Sequence, residues 1–135
     1  MTLWEFVQKN VKVKVDFDKA YGCQCVDLFR QYCQDVLETP HTGAVEGAKD
    51  LFLNYENLPK EVTYFKRIKG ISGLKSGDVI IWDETKTNKY GHVAIFLCKD
   101  GSNLIVLEQN GFTQDGVKIS TRTITGILGY LRFRG

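Results

Sequence analysis

The 135-residue chain reads as an α+β protein, with helices in its first part and antiparallel strands in its second. Three observations predict this. Apolar residues recur at helical spacing up to about residue 53, with capping signals in front of them. Past Pro59 the apolar residues gather into short runs of strand length, bounded by turn residues. Asp100-Gly101 separates two such runs, a hairpin signal that pairs them antiparallel. The length suits one domain with a real core, expected to span residues 1–135.

Thr2-x-x-Glu5 forms a capping box that opens a short helix with Leu3, Phe6 and Val7 on one face. Residues 11–15 alternate valine and lysine and read as extended, leading into an acidic loop over 16–24. From Cys25 the residues Val26, Phe29, Arg30, Cys33, Val36 and Leu37 keep helical spacing, and Pro40 is expected to stop that helix. A further short helix is expected over 44–53, with Ala44, Val45, Ala48, Leu51 and Phe52 inward. Strands are expected over 62–68, 77–82, 92–98, 104–108, 117–121 and 130–133. There are no internal repeats or low-complexity segments.

A net charge of +2 is too small to imply a nucleic-acid partner. No apolar run is long enough to cross a bilayer, so membrane insertion is not expected. The start Met1-Thr2-Leu3-Trp4-Glu5 lacks the basic residues and continuous apolar segment of a signal peptide. The expectation is synthesis in the cytoplasm with reduced thiols, and hence no disulfides among Cys23, Cys25, Cys33 and Cys98. No zinc-type second ligand pair follows Cys23-x-Cys25, so Cys23 reads as incidental, with a liability to oxidation. Cys33 and Cys98 read as packed, and His41 as a solvated loop residue.

The chemistry sits in three places. Cys25 stands where the acidic loop gives way to a helix, His92 opens an apolar strand after Tyr90-Gly91, and Glu108-Gln109-Asn110 ends the paired strand. A thiolate is the reactive species, and a helix N-terminus and a neighbouring imidazole both favour it. With only two histidines in the chain, the choice of base is narrow. Glu108 and Asn110 alternate by two and face one side of their strand, while Gln109 faces the other. An acceptor on the far nitrogen of His92 is what fixes an imidazole tautomer. Hydrolysis also needs donors for the oxyanion, and the Cys25 backbone N–H and the Gln24 amide are the candidates. Trp82 and Tyr90 are candidates for the groove wall, with core packing an equal alternative for Trp82.

Gly22-Cys23-Gln24-Cys25-Val26-Asp27-Leu28, Gly91-His92-Val93-Ala94-Ile95-Phe96 and Leu107-Glu108-Gln109-Asn110 together resemble the CHAP family, the cysteine, histidine-dependent amidohydrolases/peptidases of phage and bacterial peptidoglycan hydrolases. The resemblance runs from about Asp16 to the C-terminus. It implies a papain-like fold in which the nucleophile helix packs on the sheet and the active site lies in the groove between them. It implies catalysis by Cys25 and His92, with Glu108 accepting from the histidine and Asn110 supporting the site. The implied partner is bacterial peptidoglycan, cut at the muramoyl-L-alanine amide or at a stem or cross-bridge peptide bond by a monomer. Such an enzyme, made without a leader, reaches the wall through a holin-type pore or within a phage particle. No wall-binding module follows Gly135 in this sequence, so the chain is either an excised catalytic domain or an enzyme that finds its substrate unaided. Two rivals stand beside this reading: a related amidase with a non-wall substrate, and a catalytically inactive wall-binding or phage structural module.

A calcium site is also expected. Asp16, Asp18, Ala20, Gly22 and Asp27 occupy positions one, three, five, seven and twelve of a twelve-residue loop, the ligand spacing of an EF-hand-type loop. Ala20 and Gly22 offer only carbonyls, which leaves three carboxylates. Tyr21 replaces the usual glycine at position six and Asp27 the usual glutamate at twelve, so no helix–loop–helix EF-hand is expected. Calcium-binding CHAP domains resemble this arrangement. The alternative is a solvated acidic turn, with Asp27 favoured by the helix dipole.

Overall fold

Thr2 starts the first helix as the capping box requires. In the computed structural model, which describes residues 1–135 apart from Tyr21, Cys23 and Gly111, its hydroxyl accepts from the Glu5 N–H at 3.1 Å. Glu5 Oε1 in turn accepts from the Thr2 N–H at 2.9 Å. The helix, α1, spans Leu3–Asn10 and buries Phe6 and Val7. Residues 11–13 then run alongside a later strand, with Lys12 N–H donating to Val117 O at 2.8 Å and Val117 N–H to Val13 O at 2.9 Å.

The second helix, α2, spans Cys25–Tyr32 and continues as one π-helical turn over Cys33–Leu37. It ends ahead of Pro40, because Glu38 turns left-handed (φ 53°) and its N–H closes on Cys33 O. The helix expected over 44–53 is shorter. Only Asp50–Leu53, α3, is α-helical, and residues 44–49 are irregular. The cause is tertiary: Lys49 N–H donates to Tyr90 O at 3.0 Å, and a Cβ on Gly47 would lie 2.7 Å from the same oxygen. Ala48 and Leu51 are buried as expected, whereas Ala44 is exposed. The strand expected over 62–68 divides into helix α4, Pro59–Tyr64, and strand β1, Phe65–Lys69. Pro59 at the first helical position, with its preset φ, starts α4 and carries Val62 into it.

The remaining strands fall where the apolar runs place them. They are β2 (Val79–Trp82), β3 (His92–Asp100), β4 (Asn103–Gln109), β5 (Val117–Arg122) and β6 (Ile127–Phe133). They form one antiparallel sheet in the order β1-β6-β2-β3-β4-β5. Gly101, at φ 61°, turns the β3–β4 hairpin. Cys98 departs from expectation: β3 runs past it to Asp100, and it is exposed rather than packed.

Alternation along the strands makes two cores. Val79, Ile81, Val93, Ile95, Leu107 and Leu131 join Phe6, Leu28, Phe29 and Cys33 in one. Ile80, Ala94, Phe96, Val106 and Tyr130 form the other, on the opposite face. Each fully buried Ile or Leu contributes roughly 1.5–3 kcal/mol, so this two-sided sheet is a rigid frame. α2 packs across β3 and β4, which sets the N-terminus of α2 beside the strands that carry His92 and Glu108. Among the described residues, no helix is long and apolar enough to cross a membrane.

Gly91 shows how tightly the start of β3 is fixed. Its φ is 74°, and a Cβ there would sit 2.5 Å from Trp82 O and 2.8 Å from Lys49 Cβ. Gly91→Ala is expected to lower stability by about 1–3 kcal/mol in denaturant unfolding and to displace the neighbouring His92.

Candidate active site

The site is a cleft where the start of α2 meets the ends of β2, β3 and β4. Its walls include Cys25, Trp82, His92, Glu108, Asn110 and Arg122. Gln24, in an extended conformation, caps α2 and lines the cleft; its N–H donates to Asp27 Oδ2 at 3.2 Å. Cys25 is therefore the first residue of the helix, half-buried, at the end where the helix dipole is positive.

His92 is the first residue of β3 and is paired in register with Trp82 of β2. Its Nε2 lies 3.0 Å from Glu108 Oε1, and Cys25 is close enough to bear on the protonation of the ring. The indole of Trp82 lies against the imidazole, with centroids 5.6 Å apart. Thus the structure brings Cys25, His92 and Glu108 together in one cleft. Trp82 does both jobs weighed for it, with one part in the second core and another in the cleft wall.

Glu108 is 2 % exposed, and a carboxylate so placed needs charged partners. Besides His92 it accepts from Arg122, whose Nε donates to Oε1 and whose Nη2 donates to Oε2 at 3.2 Å. The Arg122 guanidinium also lies 5.5 Å above the Trp82 ring. Burial pushes the Glu108 pKa up, but the hydrogen bonds from His92 and Arg122 and their charges outweigh it and bring it to about 2. For His92, burial pulls the pKa down. The hydrogen bonds to Cys25 and Glu108 more than compensate, and the net direction is upward, with the Arg122 charge opposing.

Asn110 also lines the cleft, its Oδ1 accepting from Phe112 N–H at 2.8 Å. Tyr90 is exposed and also lines the cleft. Two residues that the sequence pattern did not single out matter here. Arg122 sits one residue past the strand run recognised in the sequence, and nothing local marks it as a partner of Glu108. Gln109 is wholly buried behind the site, and the alternation that turned it away from Glu108 was its only signal. Cys33 is buried, and burial pushes its thiol up to about 12. His41 is half-buried against Phe17, with ring centroids 4.7 Å apart, rather than fully solvated. Cys23 and Tyr21 lie outside the described residues.

In the loop before Cys25 and the first turn of α2, Asp16, Asp18 and Asp27 converge, with one carboxylate oxygen of each within 4.8 Å of the others. Among the described residues, the buried Asp16 Oδ1 has no hydrogen-bond partner. Arg30 approaches from one side, 3.0 Å from Asp27 Oδ1 and 3.5 Å from Asp18 Oδ2, while its other nitrogens donate to the Thr42 and Gly43 carbonyls. Burial first, and then the Asp18 charge, raise the pKa of Asp27. Ala20 and Gly22 lie in the same loop, Gly22 at φ 74°, a backbone conformation that suits glycine. This donor set, all hard oxygen with an orphaned carboxylate oxygen, fits calcium.

The CHAP domain family model matches residues 14–110, and the chain belongs to that family. It is 30 % identical over 139 aligned positions to the endolysin PlyTW of Staphylococcus phage Twort, covering 94 % of this chain and 28 % of that protein. Among solved structures it is similar to the endolysin LysIME-EF1, with TM-score 0.71 and 23 % identity over 95 % of this chain and 61 % of that one. It is also similar to Ly7917, with TM-score 0.70 and 19 % identity over 98 % of this chain and 62 % of that one. The chain thus spans under a third of the curated relative and about three fifths of these solved structures.

The electrostatics predict opposite responses to two substitutions. Glu108→Gln removes an interaction that favours the imidazolium, so the His92 pKa falls; Arg122→Gln removes an opposing charge, so it rises. With only two histidines, NMR titration of the ring protons reads this directly. Shifts in the same direction, or none, contradict the arrangement. The sign for stability follows: the His92 contribution is lost as pH rises through its raised value, and that of Glu108 as pH falls towards about 2.

Proposed function

We propose that this domain is a peptidoglycan hydrolase that cuts an amide or peptide bond of the bacterial wall through a cysteine nucleophile. The observation that carries the reading is that Cys25 and the hydrogen-bonded pair His92–Glu108 share one open cleft, in a chain of the CHAP family. Kinship with a phage endolysin supports the wall as substrate. The Cys25 sulfur attacks the carbonyl carbon as His92 takes the thiol proton; the tetrahedral oxyanion faces the Cys25 N–H and the Gln24 amide. His92 then gives its proton to the departing amine as the C–N bond breaks, leaving a thioester. Water, deprotonated by His92, releases the acid and restores the thiol. Glu108, held by Arg122, keeps the imidazole oriented and stabilises its charged form, and Asn110 supports the cleft wall beside it. The domain acts as a monomeric catalytic unit over residues 1–135, on walls reached after release from the host cytoplasm or from a phage particle.

Asp16, Asp18 and Asp27, with the carbonyls of Ala20 and Gly22, would hold calcium. Three carboxylates against one Arg30 guanidinium leave an excess of two negative charges, which suits a divalent cation. When bound there, the ion supplies no chemistry to the reaction and braces the loop before Cys25.

Cys25→Ala and Cys25→Ser are expected to abolish clearing of a suspension of purified walls without loss of fold, while Cys33→Ala costs stability and spares turnover. Mass spectrometry of the digest should find new amide- or peptide-derived termini and no new reducing sugar ends. Substantial lysis by Cys25→Ala, or sugar-end products, sinks the mechanism. For the metal, calorimetry should detect calcium binding, with thermal stability falling on chelation and Asp16→Ala reproducing that fall. No binding at millimolar calcium rejects the site.

A further inference from the structure

We infer that Gln109 is the positioning residue that fixes Cys25 against His92, by closing the acidic loop at both of its ends. The inference rests on the reading of Cys25 as nucleophile and adds a residue that the proposed chemistry does not itself use.

Gln109 has no exposed surface, and its primary amide makes three hydrogen bonds to the loop. Its Oε1 accepts from Val15 N–H at 2.8 Å, and its Nε2 donates to Val15 O at 2.7 Å and to Gln24 O at 2.8 Å. Val15 immediately precedes Asp16 and Gln24 immediately precedes Cys25, so one side chain pins the entry and the exit of residues 16–24. The pinned carbonyl of Gln24 also accepts from Asp27 N–H at 3.0 Å, the first bond of α2. Gln109 therefore holds the cap of the helix on which Cys25 is the first residue.

The position in the strand gives this clamp its meaning. Glu108 and Gln109 are consecutive on β4 and point to opposite faces. One holds His92 and the other holds the loop that ends at Cys25. A single strand is thus the common reference for both reacting side chains. A buried amide is costly unless its donors and acceptor are satisfied. Here both donors and the acceptor are spent on the loop backbone, none on the sheet's own core.

Gln109→Glu keeps the shape and exchanges the NH₂ for oxygen. When protonated, the new carboxyl retains one of the two donations; when ionised, it retains neither and faces two carbonyl oxygens. Burial raises the pKa of such a group, so the loss of the clamp becomes pH-dependent. On soluble wall fragments with the full chain, kcat of Gln109→Glu relative to wild type should fall at least about tenfold, equivalent to about 1.4 kcal/mol, from the acid to the alkaline side. KM should stay nearly constant. Gln109→Met, of similar size and without titration, should lose kcat equally at all pH values. A kcat ratio for Gln109→Glu that is flat with pH, or wild-type kcat in Gln109→Met, overturns the inference. If neither variant folds, the wild-type protein decides it by NMR: the Val15 amide and the Gln109 side-chain protons should exchange slowly, and exchange at the rate of exposed amides overturns it. Neither result bears on Cys25→Ala, whose lysis tests the nucleophile separately.

Discussion

The cleft depends on a carboxylate buried in a place where it cannot stand alone. Glu108 is closed off by the sheet and stays ionised because His92 meets it on one side and Arg122 on the other. Removing one partner from such a group exposes the full cost of an uncompensated buried charge, so the three side chains form a single electrostatic unit. Trp82 completes it, with one neighbour in His92 and another in the Arg122 guanidinium. The imidazole is thereby held by the Glu108 carboxylate and the Trp82 ring, and in the proposed mechanism its remaining nitrogen serves the thiol.

Alternation along β4 distributes the work of the site. Residues one apart on a strand look in opposite directions, so Glu108 addresses the cleft and Gln109 the back of the acidic loop. The rigidity of the sheet, with a packed core on each face, is what makes both addresses reliable. Helix α2 brings Cys25 from outside the sheet, and its capped N-terminus gives the thiol a fixed origin. The acidic residues sit in the loop and first turn around that N-terminus, so a cation there would act on Cys25 through geometry.

The strands and the first two helices were legible because their signals are local: a capping box at Thr2, helical spacing from Cys25, short apolar runs and Asp100-Gly101. Cys25, His92 and Glu108 were legible because each lies in a motif at an element boundary, and their convergence follows from the pairing of β3 with β4. What the sequence misplaced was decided by distant partners. Residues 44–49 do not form a helix because their backbone is committed to the Tyr90–Gly91 turn. Residues 59–64 are helical because Pro59 sets the first turn, against the strand-like look of Val62 to Ile68. The roles of Arg122 and Gln109 were not legible for the same reason: each acts through a partner 14 or more residues away, and for Gln109 alternation gave only the face.

The central claim is that His92 activates Cys25, and selective alkylation tests it most directly. Cys98 is exposed and Cys25 only half-buried, so accessibility alone favours Cys98 for labelling by a small reagent such as iodoacetamide. With the native protein and limiting reagent, peptide mass spectrometry should find Cys25 labelled first, and that preference should vanish in His92→Ala. Faster labelling of Cys98 in the native protein, or an unchanged Cys25 rate in His92→Ala, would contradict the account.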